Sequence, residues 1–226
     1  MPPSDRGTDA TEARVRERLR QVRWIGGGSA AGKSTIAARL AAEHGVDVMA
    51  TDDLMAAHAR HCDAAACPLL TAFLAMDMDE RWVQRSPQVV LDTFPWFRGE
   101  CFDLIIDDLL DLSERPRVIV EGFRLLPQRV RPLLAEPRQA VWLLPTPAFR
   151  RSAAGQRGSG WEFLDRTSDP PTALHNLLER DRMFTDRLRE ETTRLGLTAI
   201  EVDSTVDEDE IAARVADALG LRSRAG

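Results

Sequence analysis

The run Gly27-Gly28-Ser29-Ala30-Ala31-Gly32-Lys33-Ser34-Thr35 has residue types and a spacing suited to chemistry on a polyphosphate. It follows the pattern glycine, four residues, glycine, lysine, then serine or threonine. Glycines let the backbone turn tightly and approach an anion closely, and successive N–H groups then point inward around it. Lys33 reaches the β- and γ-phosphates as a compact charge. Ser34 offers its hydroxyl to Mg²⁺, and a helix opening near Lys33 turns its positive end toward the same phosphates. Lys33 is the only lysine in the chain, so the lone ammonium falls where such a loop uses one.

Two acidic positions extend the pattern. Thr51-Asp52-Asp53 follows a short β-rich stretch, Val46–Ala50, and acids at the carboxyl end of a strand lie where open α/β sheets bind ligands. Asp52 is suited to accept the proton of an incoming hydroxyl or to join the Mg²⁺ shell. One of the two aspartates could instead cap the helix expected from Leu54 to about His61. Val118-Ile119-Val120 ends in Glu121-Gly122, whose carboxylate is expected beside the phosphate loop, where it can hold a Mg²⁺-bound water. His58, His61, Cys62 and Cys67 form a loose cluster with a weak zinc spacing, and no second pair completes a four-ligand set.

The elements that must position these groups are legible from composition and periodicity. Val22–Ile25 reads as a first strand, and Thr35–His44 as a helix stopped by Gly45. Further strands are expected at 117–122, 140–144 and 197–202. Helices are expected at Phe102–Leu112, from about Thr172 to Leu195, and from about Asp207 to Leu219. Strands alternating with helices imply a parallel α/β sheet. Residues 1–20 read as a flexible N-terminal segment with a short exposed helix from Thr11, and 21–226 as one domain. Within it, about 52–115 is expected to be a largely helical section covering the acceptor side. About 147–195 is expected to hold a mobile arginine-bearing stretch and a long helix. Trp82, Trp96, Phe97, Arg98 and Glu100 are candidate acceptor contacts, with burial in the core as the competing role for each aromatic.

Bulk properties bound the function. The net charge of −6 argues against a nucleic-acid or anionic-membrane partner, whose binding rests on basic patches. No apolar run approaches the ~20 residues of a membrane span. Three cysteines form no dense disulfide framework, and a reducing cytoplasmic setting is expected. The other cations are arginines, suited to planar recognition of phosphate or carboxylate.

Taken together, the loop, the Asp52-Asp53 pair, the Glu121-Gly122 strand end and the arginine-bearing Arg150–Arg157 stretch resemble the P-loop small-molecule kinases of the nucleoside-monophosphate-kinase-like class. That class includes uridine, nicotinamide-riboside, shikimate and gluconate kinases and chloramphenicol phosphotransferase. The resemblance covers about residues 21–220. It implies a three-layer P-loop fold, with a five-stranded parallel sheet, helices on both faces, a helical acceptor-side insertion and an arginine-rich lid. It also implies ATP and Mg²⁺ as cofactors and transfer of the γ-phosphate to a hydroxyl of a small molecule. The implied catalytic residues are Lys33, Asp52, Arg150 and Arg157. The nucleotide lies on Gly27–Thr35, the metal at Ser34, Asp52 and Glu121, and the acceptor against Asp53, Trp96, Arg98, Glu121 and Arg124. Between Pro68 and Leu112 the only arginines are Arg81, Arg85 and Arg98, which favours a neutral acceptor over a phosphorylated one. A nucleotide-hydrolysing switch, a nucleoside monophosphate kinase and an antibiotic-inactivating phosphotransferase stand as alternatives. The oligomeric state stays open.

Overall fold

The computed structural model describes residues 6–150 and 162–221. Helix α1 (Arg6–Arg18) precedes strand β1 (Arg23–Gly27), helix α2 (Lys33–His44) and strand β2 (Asp47–Ala50). Four short helices follow: α3 (Met55–His61), α4 (Pro68–Ala75), α5 (Met78–Trp82) and α6 (Pro87–Thr93). Then come α7 (Phe102–Leu112), β3 (Val118–Glu121), α8 (Pro127–Val130) and β4 (Ala140–Pro145). The long helix α9 (Pro170–Leu195), strand β5 (Thr198–Val202) and helix α10 (Glu208–Ala218) complete the order.

The five strands form one sheet in the order β2-β3-β1-β4-β5, and every pairing is parallel. Successive side chains on a strand face opposite sides, and the two cores divide accordingly. Trp24, Val120, Trp142 and Leu144 join the core on one face, with Ile105, Leu109, Leu177 and Phe184. Ile25, Ile119, Val141 and Leu143 join the core on the other face, with Ile36 and Leu40 of α2 and Ile211 and Val215 of α10. The central strands β3 and β4 are buried along their whole length, as parallel strands covered on both faces must be. This is the three-layer α/β architecture that the alternation of strands and helices implied.

Local chemistry sets the element ends. Gly45 closes α2 in the left-handed conformation, with φ 64°, and Gly196 does the same for α9. Asp169 starts α9 by accepting from the Thr172 backbone N–H. Asp77 and Glu80 form a capping box at α5, and Ser86 caps α6, so side-chain caps start these short helices. The lead-in expected to be flexible is helical from Arg6. It is tied down where Arg18 donates to the Leu110 carbonyl at 2.6 Å and where Leu19 and Val22 are fully buried. No helix among the described residues is long and apolar enough to cross a membrane.

Candidate active site

The register of the sheet brings the glycine-rich loop and the two acidic strand ends to one edge. Glu121 at the end of β3 lies level with Ile25 on one side and Ala50 on the other. The loop after β1 and the Thr51-Asp52 turn after β2 therefore leave the sheet beside Glu121. The Thr51 N–H donates to the Glu121 carbonyl at 2.8 Å, and the Gly122 N–H donates to the Ile25 carbonyl at 3.2 Å, which locks the three turns together. Gly122 has φ 147°, and a Cβ there would run into the Thr51 hydroxyl. Only glycine allows this contact.

In the loop, Gly32 (φ 75°) and Ala30 (φ 61°) are left-handed, the alternation that turns backbone N–H groups to one side. Lys33 is buried, and its Nζ donates to the Gly28 carbonyl at 2.9 Å. Ser34 Oγ donates to Glu121 Oε1 at 2.9 Å. The other carboxylate oxygen, Glu121 Oε2, is buried with no partner among the described residues. A hydroxyl and an under-used carboxylate beside the glycine-rich loop form an all-oxygen donor set, which fits a hard cation such as Mg²⁺. Burial raises the Glu121 carboxyl above its usual value, opposed by the Ser34 hydrogen bond and the Lys33 charge. Burial also raises Asp52, and Lys33 and then Arg124 pull it back.

Asp52 and the loop residues Ser29–Thr35 open onto one cavity of ≈ 380 Å³. Its other wall is aromatic and apolar: Trp82, Phe94, Phe97, Phe123, Phe163 and Leu177. Phe94 packs edge-on to Phe97, and Phe97 stacks on Phe184 at 3.6 Å between ring centroids. Within this wall lies Arg180, 5 % exposed. Its guanidinium lies over Trp82, Phe94 and Phe97 at 5.3, 4.6 and 5.0 Å. Nε and Nη2 donate to Asp181 Oδ1 at 2.9 and 2.5 Å, and Nη1 has no partner among the described residues.

The expected acceptor residues separate on inspection. Glu121 sits beside the loop as described. Asp53 is exposed and lines a different hollow, next to Val48 and Asp108. Trp96 is buried under Arg124, 4.8 Å from its ring, so the competing core role describes it. Arg98 lines a separate cleft with Arg129 and Arg187. Arg124 is fully enclosed and donates to the Thr51 carbonyl (2.9 Å), His58 Nδ1 (2.9 Å) and the Cys101 carbonyl (3.0 Å). Burial lowers its pKa to about 10. It holds the Asp52 turn from behind and does not line the cavity. Glu100 accepts from the Leu69 and Leu70 N–H groups at the start of α4, a capping role. Arg150 is buried, bonded to Thr185 Oγ1 and lowered by burial. Thr185 is in turn the side chain that a Cβ on Gly28 would meet, which places Arg150 behind the loop. Arg157 lies outside the described residues.

Among the arginines of the long helix, Arg182 pairs with Glu179 and Asp186, and Arg187 with Asp92, at the surface. Arg180 alone of that group lines the cavity. Helical periodicity offered no signal to separate it, because what distinguishes Arg180 is burial against rings from α5 and the turn after α6.

No protein-family model matches the chain, and no curated protein matches it. Solved structures that resemble it do so distantly. An uncharacterized protein from Eubacterium ventriosum matches with 16% identity and a TM-score of 0.47 over 91% of this chain and 99% of that one. The YorR protein of Bacillus subtilis, solved in complex with phosphorylated GDP, matches with 15% identity and a TM-score of 0.40, covering 88% of this chain and 96% of that one. The NadR protein, solved in complex with NR, matches with 12% identity and a TM-score of 0.38 over 94% of this chain and 55% of that one.

Proposed function

We infer that this chain is an ATP-dependent phosphotransferase whose acceptor is a hydroxyl on a small, uncharged molecule with a flat apolar part. One observation carries the reading: Asp52 and the phosphate loop face the same aromatic-walled cavity. A nucleotide-hydrolysing switch has no use for such a chamber beside its phosphates.

Bound ATP and Mg²⁺ supply the transferable phosphoryl group and the cation that offsets its charge. The residues of the chain do the rest. The loop N–H groups and Lys33 hold the β- and γ-phosphates, with Lys33 exchanging its contact to the Gly28 carbonyl for phosphate oxygen. Ser34 and Glu121 offer oxygens to the cation. Asp52 accepts the acceptor's hydroxyl proton as the acceptor oxygen bonds to the γ-phosphorus and the bond to the ADP oxygen breaks. Trp82, Phe94 and Phe97 give the flat part of the acceptor an aromatic wall to pack against, and Arg180 Nη1 offers a donor to a carbonyl or hydroxyl on it. Among the described residues, Lys33 and Arg180 are the cations on the cavity wall, and Asp181 already balances Arg180. That favours an uncharged acceptor. Arg81 and Arg85 are spent on carbonyls of their own section.

The test uses γ-labelled ATP with Mg²⁺ and a pool of small hydroxyl compounds, with Asp52→Asn alongside. Label on an organic product from wild type and not from the variant is the expected result. Label released only as inorganic phosphate from every pool overturns it.

A further inference from the structure

We propose that Cys62, Cys67 and Cys101 form a binding site for a single thiophilic metal ion, Zn²⁺, independent of the phosphotransferase reading. The three sulfurs come from three elements: the end of α3, the start of α4 and the start of α7. They lie within 4.8 Å of one another. Cys62 Sγ meets both Cys67 Sγ and Cys101 Sγ, with Cα separations of 6.2 Å in each case, and Cys67 Sγ lies 3.5 Å from Cys101 Sγ. A sulfur forms one disulfide, so disulfide chemistry can satisfy two members of this trio and leaves the third unused. A soft cation satisfies all three at once. Zn–S bonds of about 2.3 Å in tetrahedral geometry place sulfurs about 3.8 Å apart, close to the Cys67–Cys101 spacing; Cys62 Sγ lies nearer to both and would draw back from them as the ion enters.

The surroundings favour anionic sulfur. Cys67 and Cys101 are the N-cap residues of α4 and α7, and neither side chain is used to cap its helix. The α4 end is already capped by the Glu100 carboxylate, so the positive end turned to the sulfurs is that of α7. The Arg124 guanidinium lies alongside, donating to the Cys101 carbonyl. Three thiolates and Zn²⁺ carry a net charge of −1, opposite in sign to the α7 N-terminus and to Arg124. Cys67 and Cys101 are 4 % and 7 % exposed, whereas Cys62 is partly open. The fourth coordination position thus faces solvent, as at zinc sites with three protein ligands. The histidines of the sequence cluster do not take that position. His58 Nε2 bonds Asp108 and its Nδ1 bonds Arg124, and His61 Nδ1 bonds the Ala57 carbonyl from the surface. The cysteine that completes the set is Cys101, which sequence spacing did not single out.

The decisive experiment titrates the reduced, chelator-treated full chain with Co²⁺ without oxygen. The expected result is a thiolate-to-cobalt charge-transfer band that saturates at one equivalent and disappears when Zn²⁺ is added. Cys62→Ser, at the most exposed position, should weaken Zn²⁺ binding by about 100-fold or more, beyond the roughly 10–100-fold cost of losing an outer-shell partner. A measurement without any variant stands beside it: Zn²⁺ should slow alkylation of all three thiols together in the wild-type chain. Absence of the band overturns the proposal. So does alkylation that Zn²⁺ leaves unchanged, or a chain that takes up no Co²⁺ and closes one disulfide with glutathione disulfide.

Discussion

At the scale of single residues, two buried carboxyls set the behaviour of the site. Asp52 is the proposed base, and a positioned base contributes about 100- to 10,000-fold to a rate. Asp52→Asn should lower kcat by that amount and leave the KM for ATP little changed, measured by coupled ADP release with an identified acceptor. Because burial raises the Asp52 pKa, the acidic limb of kcat/KM should lie above the ordinary carboxylate value of 3.8. A limb at or below that value would remove Asp52 from the role. Glu121 is raised for the same reason, and its raised pKa has a consequence for stability. The folded chain keeps a proton on Glu121 that the unfolded chain releases above about 4.5. Stability from this source is therefore full at low pH and declines as pH rises through the folded-state pKa. Glu121→Gln should remove that decline. Urea midpoints without nucleotide should show the variant gaining on wild type from acid to neutral pH, and parallel curves would contradict this.

At the scale of elements, α9 shares the cavity wall with residues of the section 52–115. One side of this helix packs Leu177, Phe184 and Leu188 into the core, and Arg180 from the same helix lines the cavity. Phe184 stacks flat against Phe97 of the cavity wall, with 4° between the rings. Phe184→Ala removes that support and leaves a hole in a close-packed interior. The expected loss is about 3–5 kcal/mol, read from denaturant unfolding, with a larger rise in acceptor KM than in ATP KM. Equal effects on both substrates would show that Phe97 is positioned by something else. Helix α1 gives a contrasting case: it is charged and weakly patterned, yet its end is pinned by Arg18 and Leu19. Tertiary contacts outweigh propensity there.

At the scale of the whole molecule, the sheet acts as an alignment device. Parallel pairing in the order β2-β3-β1-β4-β5 puts the ends of β1, β2 and β3 at one edge, so residues near 30, 52 and 121 meet. The sequence by itself determined the glycine-rich loop, the five strands and the placement of acids at two strand ends. Those signals are local: a glycine spacing, runs of β-branched residues and helix stop residues each depend on a few neighbours in the chain. Only the tertiary structure decided which side chains share the cavity. It sent Asp53 and Arg98 to other surfaces, buried Trp96 and Arg124 behind the site, turned Arg180 inward, and brought Cys101 to Cys62 and Cys67. Each of these outcomes depends on which faces of α3–α7 and α9 pack together. That choice rests on apolar surface buried between segments far apart in sequence, for which the chain carries no local mark.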